Sequence, residues 1–86
     1  MSSVIHLEDC ASPTVRLFGR RLKDRRRDLG MTQGAICERT GISVPYISSV
    51  ERAQANPTLE TIEKLAGAVG LEPWVMIRPS ETASDR

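Results

Sequence analysis

The sequence predicts a small all-α domain of five short helices. Three observations predict it. Apolar residues recur at spacings of three, four and seven. Four of the candidate helices open on Ser or Thr, and three close on Gly. No segment carries a convincing strand pattern, and there is no internal repeat. At 86 residues the chain has room for one domain. With 40% hydrophobic and 27% charged residues it reads as a globular unit, not a disordered or membrane chain. No apolar run approaches the roughly 20 residues that span a bilayer. The beginning shows no basic segment followed by an apolar one, so no signal peptide is expected. Cys10 and Cys37 are too few for a disulfide scaffold, and a cytoplasmic location is the expectation.

Residues 1–13 read as an arm, in which Val4, Ile5 and Leu7 leave a short strand open. Ser12-Pro13 closes the arm, and Pro suits a helix start. Val15, Phe18, Leu22 and Leu29 then share one face of a helix over 14–29, with Gly30 as its stop. Thr32 caps a second helix from Gln33 to Arg39, with Ile36 and Cys37 pointing inward. Gly41 allows the chain to turn sharply. Ser43 caps a third helix, Val44 to Arg52, in which Ile47 and Val50 face inward. Pro45 is tolerated there because a first-turn residue needs no intrahelical N–H bond. Residues 53–57 form a loop closed by Asn-Pro. Thr58 caps a fourth helix, Leu59 to Val69, with Leu59, Ile62, Leu65, Ala66 and Val69 as its apolar stripe and Gly70 as its end. Pro73 to Ile77 is a short apolar segment with the only tryptophan, Trp74. Residues 14–78 thus make the domain, and 79–86 have the composition of a disordered tail.

The net charge, +1, hides an asymmetry. Arg16, Arg20, Arg21, Lys23, Arg25, Arg26 and Arg27 crowd one stretch against the single acid Asp24. Without residues 1–13 and 80–86 there are 11 bases and 7 acids, a net +4. Such a run is either a solvated helix face or a surface that meets phosphates.

Two short helices around the Gly41 turn make a helix-turn-helix. A major groove about 12 Å wide admits one α-helix, and the second helix of this motif enters it N-terminus first. That places Val44, Pro45, Tyr46 and, one turn on, Ser48 and Ser49 at base edges. The N-terminus of the preceding helix offers N–H groups to a phosphate, and Gln33 adds a side-chain donor.

Phe18-Gly-x-x-Leu22, Arg26, Met31-Thr32-Gln33, Gly41-Ile42-Ser43, Tyr46-Ile47-Ser48-x-Val50-Glu51-Arg52 and Asn56-Pro57-x-Leu59 together resemble the lambda-repressor/Cro-type (XRE) helix-turn-helix family over residues 15–77. That family includes phage repressors, plasmid regulators, restriction-modification controller proteins and antitoxins. The resemblance implies a five-helix lambda-repressor-like fold. It implies base-facing positions at Val44, Pro45, Tyr46 and Ser49, and phosphate contacts from Gln33, Ser43, Arg52, Gln54 and Asn56. It also implies an ion pair between Arg26 and Glu51, bridging the first helix and the end of the third. Arg26 remains open to phosphate. Three departures stand out. Ala53, Gln54 and Ala55 replace the Gly and basic residue frequent after Glu-Arg. Arg25 replaces an apolar residue, and Cys37 an alanine. The recognition helix has no Gln, Arg or Asn at its reading positions, so part of the specificity is expected from DNA shape.

Tyr46 has an alternative, packing against the second helix. Trp74, Val75 and Ile77 either close the core or, as the resemblance implies, form the dimer seam. The expectation is a sequence-specific transcriptional regulator, a homodimeric repressor of plasmid, phage or restriction-modification type on a pseudo-palindromic duplex operator. The alternative is an antitoxin that binds a toxin protein as well as its operator. No enzyme activity, cofactor, metal or small-molecule ligand is expected: His6 lies in the arm, and no nucleophile–base pair is visible.

Overall fold

The computed structural model describes residues 11–79. They form five helices: α1 (Pro13–Asp28), α2 (Gln33–Thr40), α3 (Val44–Glu51), α4 (Leu59–Ala68) and α5 (Pro73–Ile77). The boundaries differ from expectation by a residue or so, and Pro13 opens α1 instead of closing an arm. Residues 1–10 of the arm, with the candidate strand Val4–Leu7, His6 and Cys10, and residues 80–86 of the tail lie outside the described residues.

Each of the first four helices starts on a hydroxyl that accepts an orphan first-turn N–H. Ser12 Oγ accepts from Val15 N, Thr32 Oγ1 from Ala35 N, Ser43 Oγ from Tyr46 N and Thr58 Oγ1 from Thr61 N, at 3.0–3.2 Å. The ends are as regular. After α1, the Met31 N–H bonds to the Arg26 carbonyl and the Gly30 N–H to that of Arg27. This nested pair needs a left-handed residue between, and Gly30 has φ +70°. The same closure recurs after α4 around Gly70 and after α3 around Ala53, at φ +61°.

The core takes Phe18 and Leu22 from α1, Ile36 from α2, Ile47 and Val50 from α3, four residues of α4 and its cap, and Met76 from α5. Burying one such large side chain fully stabilises the domain by about 1.5–3 kcal/mol. α1 lies against α3 and α5, α2 against α3 and α4, and α4 against α5. Two expected core residues are outside. Leu29 is 45% exposed, because α1 stops at Asp28 and the chain swings away at Gly30. Leu59 is 76% exposed: as the first residue of α4 it leans back beyond the turn that meets the core.

At Gly19 the α1 and α3 backbones nearly touch. A Cβ added there would run into the Val50 carbonyl oxygen and come within 3.1 Å of that of Glu51. The end of α3 is therefore seated directly on α1.

Candidate nucleic-acid interface

The link between α2 and α3 is short and tied by three hydrogen bonds. Gly41, at φ +79°, returns its N–H to the Cys37 carbonyl at 2.7 Å. Thr40 Oγ1 donates to the Ile36 carbonyl at 2.8 Å and accepts from Ile42 N at 3.0 Å. Ser43 then starts α3.

At about 100° per residue, α3 divides into two faces. Ile47 and Val50 are buried, and Tyr46 is half-buried with its ring packed on the core cluster. Val44, Pro45, Ser48, Ser49 and Arg52 share the other arc. Of these Val44, Pro45 and Arg52 are exposed, and the two serines are partly so. Of the candidate base-facing residues, the fold thus gathers four on the solvent side and sets Tyr46 at its inner edge. Arg52 lies along this face. Its Nη1 donates to Ser48 Oγ at 2.8 Å and its Nε to Gln54 Oε1 at 3.1 Å. Ser48 is the acceptor in that bond, which leaves its hydroxyl proton for another partner. Asn56 and Ser43 are exposed in the adjoining loops.

Beneath this face sits a three-way polar knot. Arg26 Nε donates to Glu51 Oε2 at 2.7 Å and Nη2 to Oε1 at 3.0 Å, a bidentate fork. Arg26 Nη1 reaches the Met31 carbonyl at 3.0 Å, and Gln33 Nε2 donates to Glu51 Oε1 at 3.1 Å. The Glu51 side chain is 3% exposed and that of Arg26 12%. The pKa of Arg26 is raised, chiefly by its hydrogen bond to Glu51; burial pulls it down, and the charge of Glu51 adds to the rise. One carboxylate thus ties α1, the head of α2 and the end of α3. The Gln33 amide keeps one N–H and its oxygen for a ligand.

The basic run of residues 16–27 carries no internal signal that sorts its members, but the structure sorts them. Arg21 Nη1 donates to the carbonyls of Val75 at 2.8 Å and Arg78 at 2.6 Å. Arg25 Nε donates to the Val69 carbonyl at 2.9 Å, which accounts for a base where an apolar residue is usual. Lys23 and Arg27, one turn apart, line an open groove with Thr32 and Gln33 at the head of α2 and with Ser48 and Arg52 of α3. A groove of this kind, with the head of α2 at one end and Lys23, Arg27 and Arg52 set around the Arg26–Glu51 pair, suits an anionic oxygen.

On α5, Met76 is sealed in the core, and the sequence offered no sign that this residue carries the closure. Ile77 packs partly on the core, Val75 is half-buried, and Trp74 is 55% exposed with the Arg78 guanidinium 5.1 Å from its ring centre. Among the described residues no group of acidic, His or Cys side chains could hold a metal. None of their helices is long and apolar enough to cross a membrane.

Residues 22–73 match the helix-turn-helix family. The chain belongs to that family. This helix-turn-helix protein is 36% identical over 66 residues to the uncharacterised transcriptional regulator y4dJ of Sinorhizobium fredii, covering 77% of the chain and 86% of the relative. It is 37% identical over 54 residues to the immunity repressor protein of Bacillus phage phi105, covering 63% of the chain but 38% of that repressor. Among solved structures, the restriction-modification controller protein C.AhdI of Aeromonas hydrophila matches with 35% identity and a TM-score of 0.68, covering 72% of the chain and 94% of the controller. The controller protein C.Esp1396I, solved as a tetramer on its natural 35 base-pair operator, matches with 25% identity and a TM-score of 0.69, over 76% and 86% of the two chains.

Proposed function

We infer that this helix-turn-helix protein regulates transcription by sequence-specific binding of duplex DNA, as a homodimeric repressor of the plasmid, phage or restriction-modification type, in the cytoplasm. The observation that carries the reading is the outward arc of α3, free of core duties and flanked by the basic groove. In this reading Val44, Pro45, Ser48 and Ser49 meet base edges, with Val44 suited to a thymine methyl and the serines to hydrogen bonds. Tyr46 contacts the duplex from the inner edge of that arc while its ring braces α3. Gln33, Ser43, Arg52, Gln54 and Asn56 hold the phosphate backbone, joined by Lys23 and Arg27. Trp74, with Val75 and Ile77, forms the seam between two copies. A twofold dimer sets its recognition helices about 34 Å apart, one turn of DNA. The activity is binding, with no chemical step and no bound cofactor. The regulator, repressor and controller relatives support this reading, and the antitoxin alternative has no support among them.

The test is selection of duplexes from a random pool by the purified protein, followed by gel shift at fixed salt. Recovery of a pseudo-palindrome, with Ser49→Ala losing more affinity for it than for random DNA, is the expected result. Equal losses on both duplexes, or no enriched sequence, would refute the assignment. Gln33→Ala should weaken both.

A further inference from the structure

We propose that Arg21 is a positioning residue for the association face: its clasp on α5 sets the angle of the dimer seam and hence which half-site spacing the dimer accepts. The inference rests on the reading of Trp74 as part of that seam.

The clasp answers a local defect. The carbonyls at a helix C-terminus lack intrahelical partners. In α5 the Trp74 carbonyl is satisfied by the Arg78 N–H at 3.0 Å. The next carbonyl, that of Val75, would take the N–H of residue 79, but residue 79 is Pro79, which has none. Arg21 supplies the missing donor from α1, 54 residues away in sequence, and one guanidinium nitrogen spans both Val75 O and Arg78 O. A cation at this end also meets the negative pole of the helix.

Its position matters more than its strength. α5 has five residues, its cap residue Glu72 makes no side-chain cap bond, and only Met76 is fully buried. So short an element has little of its own to fix its direction. Arg25 and Arg39 hold the preceding joint in the same manner, on the Val69 and Ala68 carbonyls at the end of α4. Arg21 alone of the three reaches α5 itself. It grips the last turn, beside the Arg78 that shelves the exposed Trp74 ring. Because α1 also seats α3 at Gly19, a single helix carries both the reading helix and the grip on the seam. The distance between the two recognition helices of a dimer then depends on how firmly α5 is held to α1.

The test compares the full chain with Arg21→Met, which keeps the side-chain stem without its donors, and Arg21→Lys, which keeps one donor head. The probes are a duplex selected by the wild-type protein and its derivatives with one or two base pairs inserted or removed at the centre. Wild type should discriminate sharply among spacings. Arg21→Met should raise the dimer dissociation constant about tenfold in sedimentation and shrink the ratio between best and second-best spacing, while Arg21→Lys falls between. A uniform loss of stability moves the melting temperature but not that ratio. If Arg21→Met does not fold, the Arg21→Lys spacing ratio decides. Pro79→Ala restores an N–H to the end of α5 and should reduce the effect of either substitution. The outcomes separate cleanly. A wild-type dimer that Trp74→Ala dissociates, with spacing ratios unchanged in the Arg21 variants, overturns the clasp alone. A wild-type chain that is monomeric both free and on DNA overturns the seam, and the clasp with it.

Discussion

Glu51→Gln keeps the shape of the side chain at the centre of the polar knot and removes its charge. In the native protein the carboxylate receives two N–H groups of Arg26 and one of Gln33, and it is nearly sealed from water. Opposite charges about 4 Å apart at an effective dielectric constant near 20 attract by about 4 kcal/mol. Breaking a buried pair from one side typically costs about 3–5 kcal/mol, because the other charge is left without its partner. Arg26 keeps its bond to the Met31 carbonyl and some exposure, so the lower end, about 3 kcal/mol, applies. A chain of 86 residues has roughly 4–13 kcal/mol in total. The loss should therefore lower Tm by about 12–24 °C, read as helical circular dichroism against temperature, with urea unfolding for the free energy. Arg26→Met together with Glu51→Leu should recover most of it, since no stranded charge remains. A loss below about 1 kcal/mol in Glu51→Gln, or a double variant as unstable as the sum of its singles, would show that the knot does not hold α1, α2 and α3 together.

Gly19→Ala should force α3 away from α1 and cost about 1–3 kcal/mol, with operator affinity falling by more than the unfolded fraction explains; wild-type affinity in gel shift would contradict the close seating. Ala53→Gly places glycine in a left-handed position at the end of α3 and should raise stability by about 0.5–1 kcal/mol in urea unfolding. Lys23→Ala and Arg27→Ala should each reduce the slope of log affinity against log salt by about 1; unchanged slopes would remove them from the backbone contact. Met76→Ala should cost about 2–5 kcal/mol, and a smaller loss would mean that α5 does not close the core.

Much of the architecture was legible because it is encoded locally. A hydroxyl before each of the first four helices and a glycine after α1, α2 and α4 act within a few residues, and all of them perform as the pattern implies. Leu29 and Leu59 misled because periodicity continues past the point where the backbone has already turned, or begins before the helix reaches its partner. Met76 was invisible, since a five-residue segment with four apolar side chains has no periodicity to say which one is sealed. The arginines were the least legible. A guanidinium on a long stem finds its acceptor in whatever carbonyl the tertiary arrangement leaves unpaired. Nothing near Arg21 or Arg25 in the sequence names Val75, Arg78 or Val69. At the interface, two readings of Tyr46 stood open, a place beside Val44 and Ser49 and packing inward, and the turn of α3 puts its side chain against the core at the edge of the outward arc.

The division of α3 into two faces has an evolutionary corollary. Val44, Ser48 and Ser49 lie on the arc opposite the buried Ile47 and Val50, so in the proposed reading exchanging them alters which duplex is preferred while the core is left as it is. Divergent copies of such a gene can therefore acquire new targets by a handful of substitutions, without first accumulating a reserve of stability to tolerate them.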